Sequence, residues 1–158
     1  MIKNFIPIIL VFALVNFASA EIYITADEAI KYIFPSSQEY RTETRTFDSQ
    51  EFKVSTVISE GKTLGWAVVS EEMGKNNPIT FLVGIDSQKK VAGVYVLEFR
   101  DMFGFEIKRR SFLRQFQGKT SKNALKVGRD IDAVTGATIS SKAAAAAVKK
   151  SIEVIESR

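Results

Sequence analysis

The sequence predicts an α+β fold: a twisted antiparallel sheet of about four to six strands, helices packed on it, and a C-terminal helix that follows a Thr/Gly/Ser-rich loop. Three observations predict it. Apolar, alternating stretches at 52–58, 64–70, 79–85 and 91–99 are separated by short polar turns, a spacing that suits hairpins rather than crossover helices. The Ala-rich run Lys142–Ile155 places Ala144, Val148, Ile152 and Ile155 on one face at helical spacing. With 158 residues and 46% hydrophobic composition, the chain is one domain, or one domain behind a leader.

Composition excludes several chemistries. The chain contains no His and no Cys. A Ser-His-Asp triad, a disulfide, a thiolate metal site, an iron–sulfur cluster and a covalently held c-type haem are therefore excluded. No clustered carboxylate spacing marks a metal site. The net charge of +4 is mild and the cations are scattered, apart from Lys108-Arg109-Arg110, so nucleic acid is not an expected partner.

Residues 1–20 read as a signal peptide and residues 21–158 as the domain. Lys3 is the basic start, Phe5–Phe17 the apolar run, and Ala18-Ser19-Ala20 a small-x-small cleavage site. Cleavage near Ala20 gives a periplasmic or secreted protein; an uncleaved N-terminal membrane anchor is the alternative. Thr25 and Glu28 have capping-box spacing for a short helix with Ala29, Ile30 and Ile33 inward, ended by Pro35. Ser36–Ser49 is polar and suits an irregular edge strand. The four strands follow, joined by Glu60-Gly61-Lys62, the polar loop Glu71–Pro78, and Asp86–Lys89. Gly65, Gly84 and Gly93 lie within strands, where they mark bulges, close backbone approach, or simple curvature.

After the last strand come Arg100, Asp101, Met102, Phe103, Gly104 and Phe105. Met102, Phe103 and Phe105 suit a flat apolar ring system, with Arg100 nearby for charge; core filling is the alternative. Lys108–Phe116 reads as a helix burying Phe112, Leu113 and Phe116, stopped by Gly118. Lys119–Arg129 connects it to the run Asp132-Ala133-Val134-Thr135-Gly136-Ala137-Thr138-Ile139-Ser140-Ser141. A helix start offers unpaired N–H groups and partial positive charge, so this junction suits an anion, and Gly136 permits close backbone approach. The same Thr and Ser residues also suit plain helix capping. Lys142, Lys149, Lys150 and Glu153 make the outer face of the closing helix.

The run from Asp132 to Thr138 resembles the flavinylation motif of the FMN-binding domain family. Weaker likenesses at 82–86, 91–98 and 116–119 extend the resemblance over most of the chain after residue 20. It implies that FMN is covalently attached through a phosphoester to Thr138 by a flavin transferase using FAD. It further implies an FMN site that includes Asp132, Thr135, Gly136, Ala137, Ser140, Arg100, Met102 and Phe103. Asp132 would orient the loop or hold Mg²⁺ for the transferase, and no residue of the domain need be catalytic. Membrane-complex members of the family carry a Glu-Thr-Pro-Gly segment where this chain has Arg100–Gly104, which favours a stand-alone exported member. The implied function is electron relay between redox partners such as cytochromes or a membrane-bound oxidoreductase. A non-redox secreted module binding a phosphate- or carboxylate-bearing ligand is the alternative.

Overall fold

The computed structural model describes residues 21–157; the expected leader and its cleavage site lie outside them. Six antiparallel strands form one open sheet in the order β1-β6-β5-β4-β3-β2. They are β1 (Glu21–Ile22), β2 (Glu39–Phe47), β3 (Gln50–Ser59), β4 (Lys62–Met73), β5 (Pro78–Asp86) and β6 (Val91–Phe99). From β2 to β6 each strand pairs with the next, so this part of the sheet is a meander of hairpins. Helix α1 (Ala26–Ile33) precedes it, the single turn α2 (Arg110–Leu113) follows it, and α3 (Thr138–Glu156) closes the chain.

The sheet is covered on both faces, as period-two alternation dictates. Phe81, Val83 and Ile85 of β5 join Phe52, Val54 and Val68 beneath Ala144, Val148, Ile152 and Ile155 of α3. Leu82 points the other way, into a smaller cluster with Ala29, Ile30 and Phe34 of α1 and its C-cap. The capping box of α1 is complete, with Thr25 Oγ1 accepting from Glu28 N–H and Glu28 accepting from Thr25 N–H. Close approach explains all three strand glycines; a Cβ on Gly65 would sit 2.2 Å from the Ile85 carbonyl oxygen. A Cβ on Gly84 would sit 2.6 Å from Ile33 Cγ2, and one on Gly93 3.0 Å from Ile33 Cγ1.

Several expectations change. The polar stretch after Ser36 is a regular edge strand, paired residue for residue with β3 from Glu39 to Phe47. Its hairpin turns on Asp48 and Ser49, both at positive φ, a two-residue turn that matches strand twist. The expected helix over 108–116 is α2 alone, flanked by 3-10 turns at Phe105–Lys108 and Arg114–Phe116; Phe112, Leu113 and Phe116 are nevertheless all buried. The last helix begins at Thr138, not Lys142. Lys150 is not on the wet face: it reaches the sheet, 2.8 Å from Glu72 Oε1 and 3.1 Å from Gln50 Oε1. Among the described residues no helix is long and apolar enough to cross a membrane.

Candidate functional site

The mouth of α3 is built by a loop held at two points. At one end Gln115 clasps the backbone of Asp132: its Oε1 accepts the Asp132 N–H at 2.8 Å and its Nε2 donates to the Asp132 carbonyl at 3.1 Å. At the other end the buried Ser141 hydroxyl accepts the Val134 N–H at 3.1 Å and donates to the Ala137 carbonyl at 2.9 Å. Gly136 turns the chain at φ +77°, with open space where a Cβ would be. These clasps belong to Gln115 and Ser141; the Asp132 carboxylate is exposed and has no hydrogen-bond partner among the described residues.

Among the described residues no side chain caps the helix. Its N-cap falls on Ala137, so the Thr and Ser residues do not serve as the caps that their spacing also allowed. The first bond into the helix is Ser141 N–H to Ala137 O at 2.8 Å. Thr138, Ile139 and Ser140 consequently present N–H groups without a partner among the described residues. The hydroxyl of the exposed Thr138 stands at this opening.

A cleft of about 520 Å³ lies in front of it, lined by Lys75, Phe103, Gly104 and the helix start from Gly136 to Ser140. Gly104 is at φ +93°, and a Cβ there would collide with the Ser140 hydroxyl, so the 103–105 segment can lie against α3 only with glycine at this position. Lys75 comes from the loop between β4 and β5. That loop is fixed by Asp101, whose carboxylate accepts the N–H groups of Lys75, Asn76 and Asn77 at 2.6, 3.0 and 2.9 Å.

Apolar side chains of the segment after β6 and of the start of α3 are exposed. Met102 is 79% exposed and Phe103 65%, while Phe105 and Ile139 are exposed too. Core filling by these side chains is thereby overturned.

The structure brings Phe103, Gly136, Ala137, Thr138 and Ser140 together around the cleft. Asp132, Thr135 and Met102 lie outside its lining. Arg100 is also elsewhere, its guanidinium held by Glu98 and 3.4 Å from Glu71 on the sheet. Lys75, Gly104 and Ile139 were not anticipated. Lys75 sits in an aperiodic polar loop, and its placement depends on Asp101, distant in sequence, so no local signal marks it.

A helix mouth with unpaired amides, a hydroxyl and a lysine lining one cleft can hold a phosphate, and Phe103 and Ile139 give the same cleft apolar surface. Residues 74–153 match the FMN-binding domain family, and the chain belongs to that family. The match begins beside Lys75 and ends near the close of α3, so it takes in both walls of the cleft. The chain is 28% identical over 118 residues to the G subunit of the ion-translocating oxidoreductase complex of Shewanella oneidensis, covering 68% of this chain and 55% of that protein. It is 32% identical over 102 residues to the G subunit of the proton-translocating ferredoxin:NAD(+) oxidoreductase complex of Clostridium ljungdahlii, covering 60% of this chain and 55% of that one. The chain thus spans about half the length of the curated relatives it matches.

Proposed function

We propose that this protein is an exported electron carrier whose FMN is covalently held by its phosphate on Thr138. The observation that carries the proposal is the coincidence of an exposed hydroxyl with three N–H groups that have no partner among the described residues, at one helix mouth. The residues present fit the group. Thr138, Ile139 and Ser140 amides and the Lys75 ammonium would hold the phosphate oxygens, since both helix start and cation favour negative charge. Phe103, Met102 and Ile139 offer an apolar shelf for a ring. Bound there, FMN supplies the redox chemistry that a chain without Cys or His lacks.

Attachment is the work of a separate flavin transferase using FAD. The Thr138 hydroxyl is the acceptor: the Oγ1–phosphorus bond forms, the pyrophosphate bond of FAD breaks, and AMP leaves. Because the hydroxyl is on the first turn of α3, at the surface, an enzyme can reach it without unfolding the domain. Asp132, exposed and outside the cleft, is available to hold Mg²⁺ for that enzyme. Export rests on the leader pattern of residues 1–20. The names of the relatives favour an ion- or proton-translocating oxidoreductase complex as redox partner, with cytochromes the other class.

The test is a comparison of flavin content. Protein co-expressed with the transferase is denatured and its fluorescence read against that of Thr138→Ala. Flavin fluorescence retained by the denatured native protein and absent from the variant is expected. Equal fluorescence from the two would place the attachment elsewhere. Colourless protein in both cases would leave reversible binding of a phosphate- or carboxylate-bearing ligand as the better reading.

A further inference from the structure

The free edge of the sheet carries a second cleft, with walls that share no lining residue with the Thr138 cleft. β1 pairs with β6 only at Phe99 and Glu98, extended by Tyr23 N–H to Leu97 O at 3.0 Å. At the opposite end Val91 bonds to Lys119 O at 2.9 Å and to Gly118 N–H at 2.8 Å. Between these, Ala92 to Val96 line a cleft of about 460 Å³. An edge strand turns the N–H and C=O of alternate residues outward. Here, among the described residues, a side-chain bond from Gln117 to Ala92 O at 3.4 Å is what reaches that stretch.

The side walls are aromatic and cationic. Tyr32, 68% exposed, stacks on Tyr95 with ring centroids 6.2 Å apart. Lys108 lies over the ring of Tyr23 at 4.0 Å. Arg110 and Arg114, both exposed, also line the cleft, and none of the described lining residues is a carboxylate. None of these three cations is ion-paired among the described residues. The sheet's other edge is guarded differently. β2 alternates charge along itself, with Arg41 3.5 Å from Glu39 and Arg45 2.5 Å from Glu43, a device that discourages strand addition. From Ala92 to Leu97, β6 carries no charge at all.

We propose that this edge binds an extended acidic segment of a partner protein, added as a strand beside β6. Backbone pairing along 92–96 would supply affinity, an apolar side chain would rest against Tyr32 and Tyr95, and carboxylates would meet Lys108, Arg110 and Arg114. A small anion could neutralise the cations but would leave the outward backbone groups of β6 without strand partners.

The test uses the full chain and two blocked heptapeptides, one alternating Glu with Val and one alternating Lys with Val. Hydrogen exchange is followed at the amides of 92–97. The Glu peptide should slow exchange there and the Lys peptide should not. Arg110→Glu with Arg114→Glu should weaken the Glu peptide by about tenfold or more and leave flavin loading unchanged. Absence of protection at 92–97, equal binding of both peptides, or the same response to citrate as to the Glu peptide would overturn the proposal.

Discussion

Asp101 and Lys75 are joined by a hydrogen bond of 2.6 Å from the Lys75 backbone N–H to Asp101 Oδ2. That bond, with those to Asn76 and Asn77, ties the end of β6 to the loop that faces Thr138. Asp101→Ala would leave these amides without their acceptor. Stability should fall by about 1–2 kcal/mol, and the amides of 75–77 should exchange faster. Attachment of flavin to Thr138 should slow as Lys75 loses its fixed position. A variant whose 75–77 amides exchange at the native rate would show that Asp101 does not hold the loop.

Ile33 of α1 occupies the space that a side chain on Gly84 would need, with 2.6 Å left for a Cβ. Gly84→Ala should therefore cost about 1–3 kcal/mol by overpacking, lowering the melting temperature by about 2–4 °C for each kcal/mol. Removing the obstacle should recover part of it, so Gly84→Ala with Ile33→Ala should lose less stability than the two single variants summed. Additive losses in the double variant would mean that the two positions do not meet.

Asp130 gives the fold a defined acid sensitivity. Its carboxylate accepts the N–H of Lys126 at 2.8 Å and of Leu125 at 3.0 Å, with Lys119 Nζ at 3.5 Å. The bond from Lys126 is the main cause that lowers its pKa, helped by Leu125 and Lys119 and partly opposed by burial. A carboxyl whose folded pKa is lowered stabilises the fold at pH values above its unfolded value of about 3.9. That contribution is lost as pH falls through the folded value. The melting-temperature gap between native protein and Asp130→Asn should be constant near neutrality and close below about pH 4. A gap that persists unchanged into acid would remove Asp130 from this role.

Most of the sheet was legible because it obeys period-two alternation. Val91–Phe99 was bounded by residue, and the buried stripe of Ala144, Val148, Ile152 and Ile155 lies where helical spacing puts it. β2 was harder to read because an edge strand exposed on both faces has no apolar rhythm; its threonines and the Asp48-Ser49 turn were the available signs. α3 starts before its alanines do, since Thr138, Ile139 and Ser140 are poor or middling helix formers that the following alanines carry along. Most of the lining of the candidate cleft, Gly136 to Ser140, lies in one contiguous motif. Lys75 and Gly104 are brought to it by contacts that span the sequence, and Arg100, close in the chain to Phe103, turns away to Glu98 and Glu71.

The central claim is that the Thr138 hydroxyl is esterified by the FMN phosphate. Intact mass spectrometry of the protein co-produced with a flavin transferase and FAD tests it most directly. The predicted result is a gain of one FMN less one water, mapped by digestion to the peptide holding Thr138, retained in Thr138→Ser and lost in Thr138→Val. An unmodified mass, or the same gain mapped to Thr135 or Ser140, would contradict it.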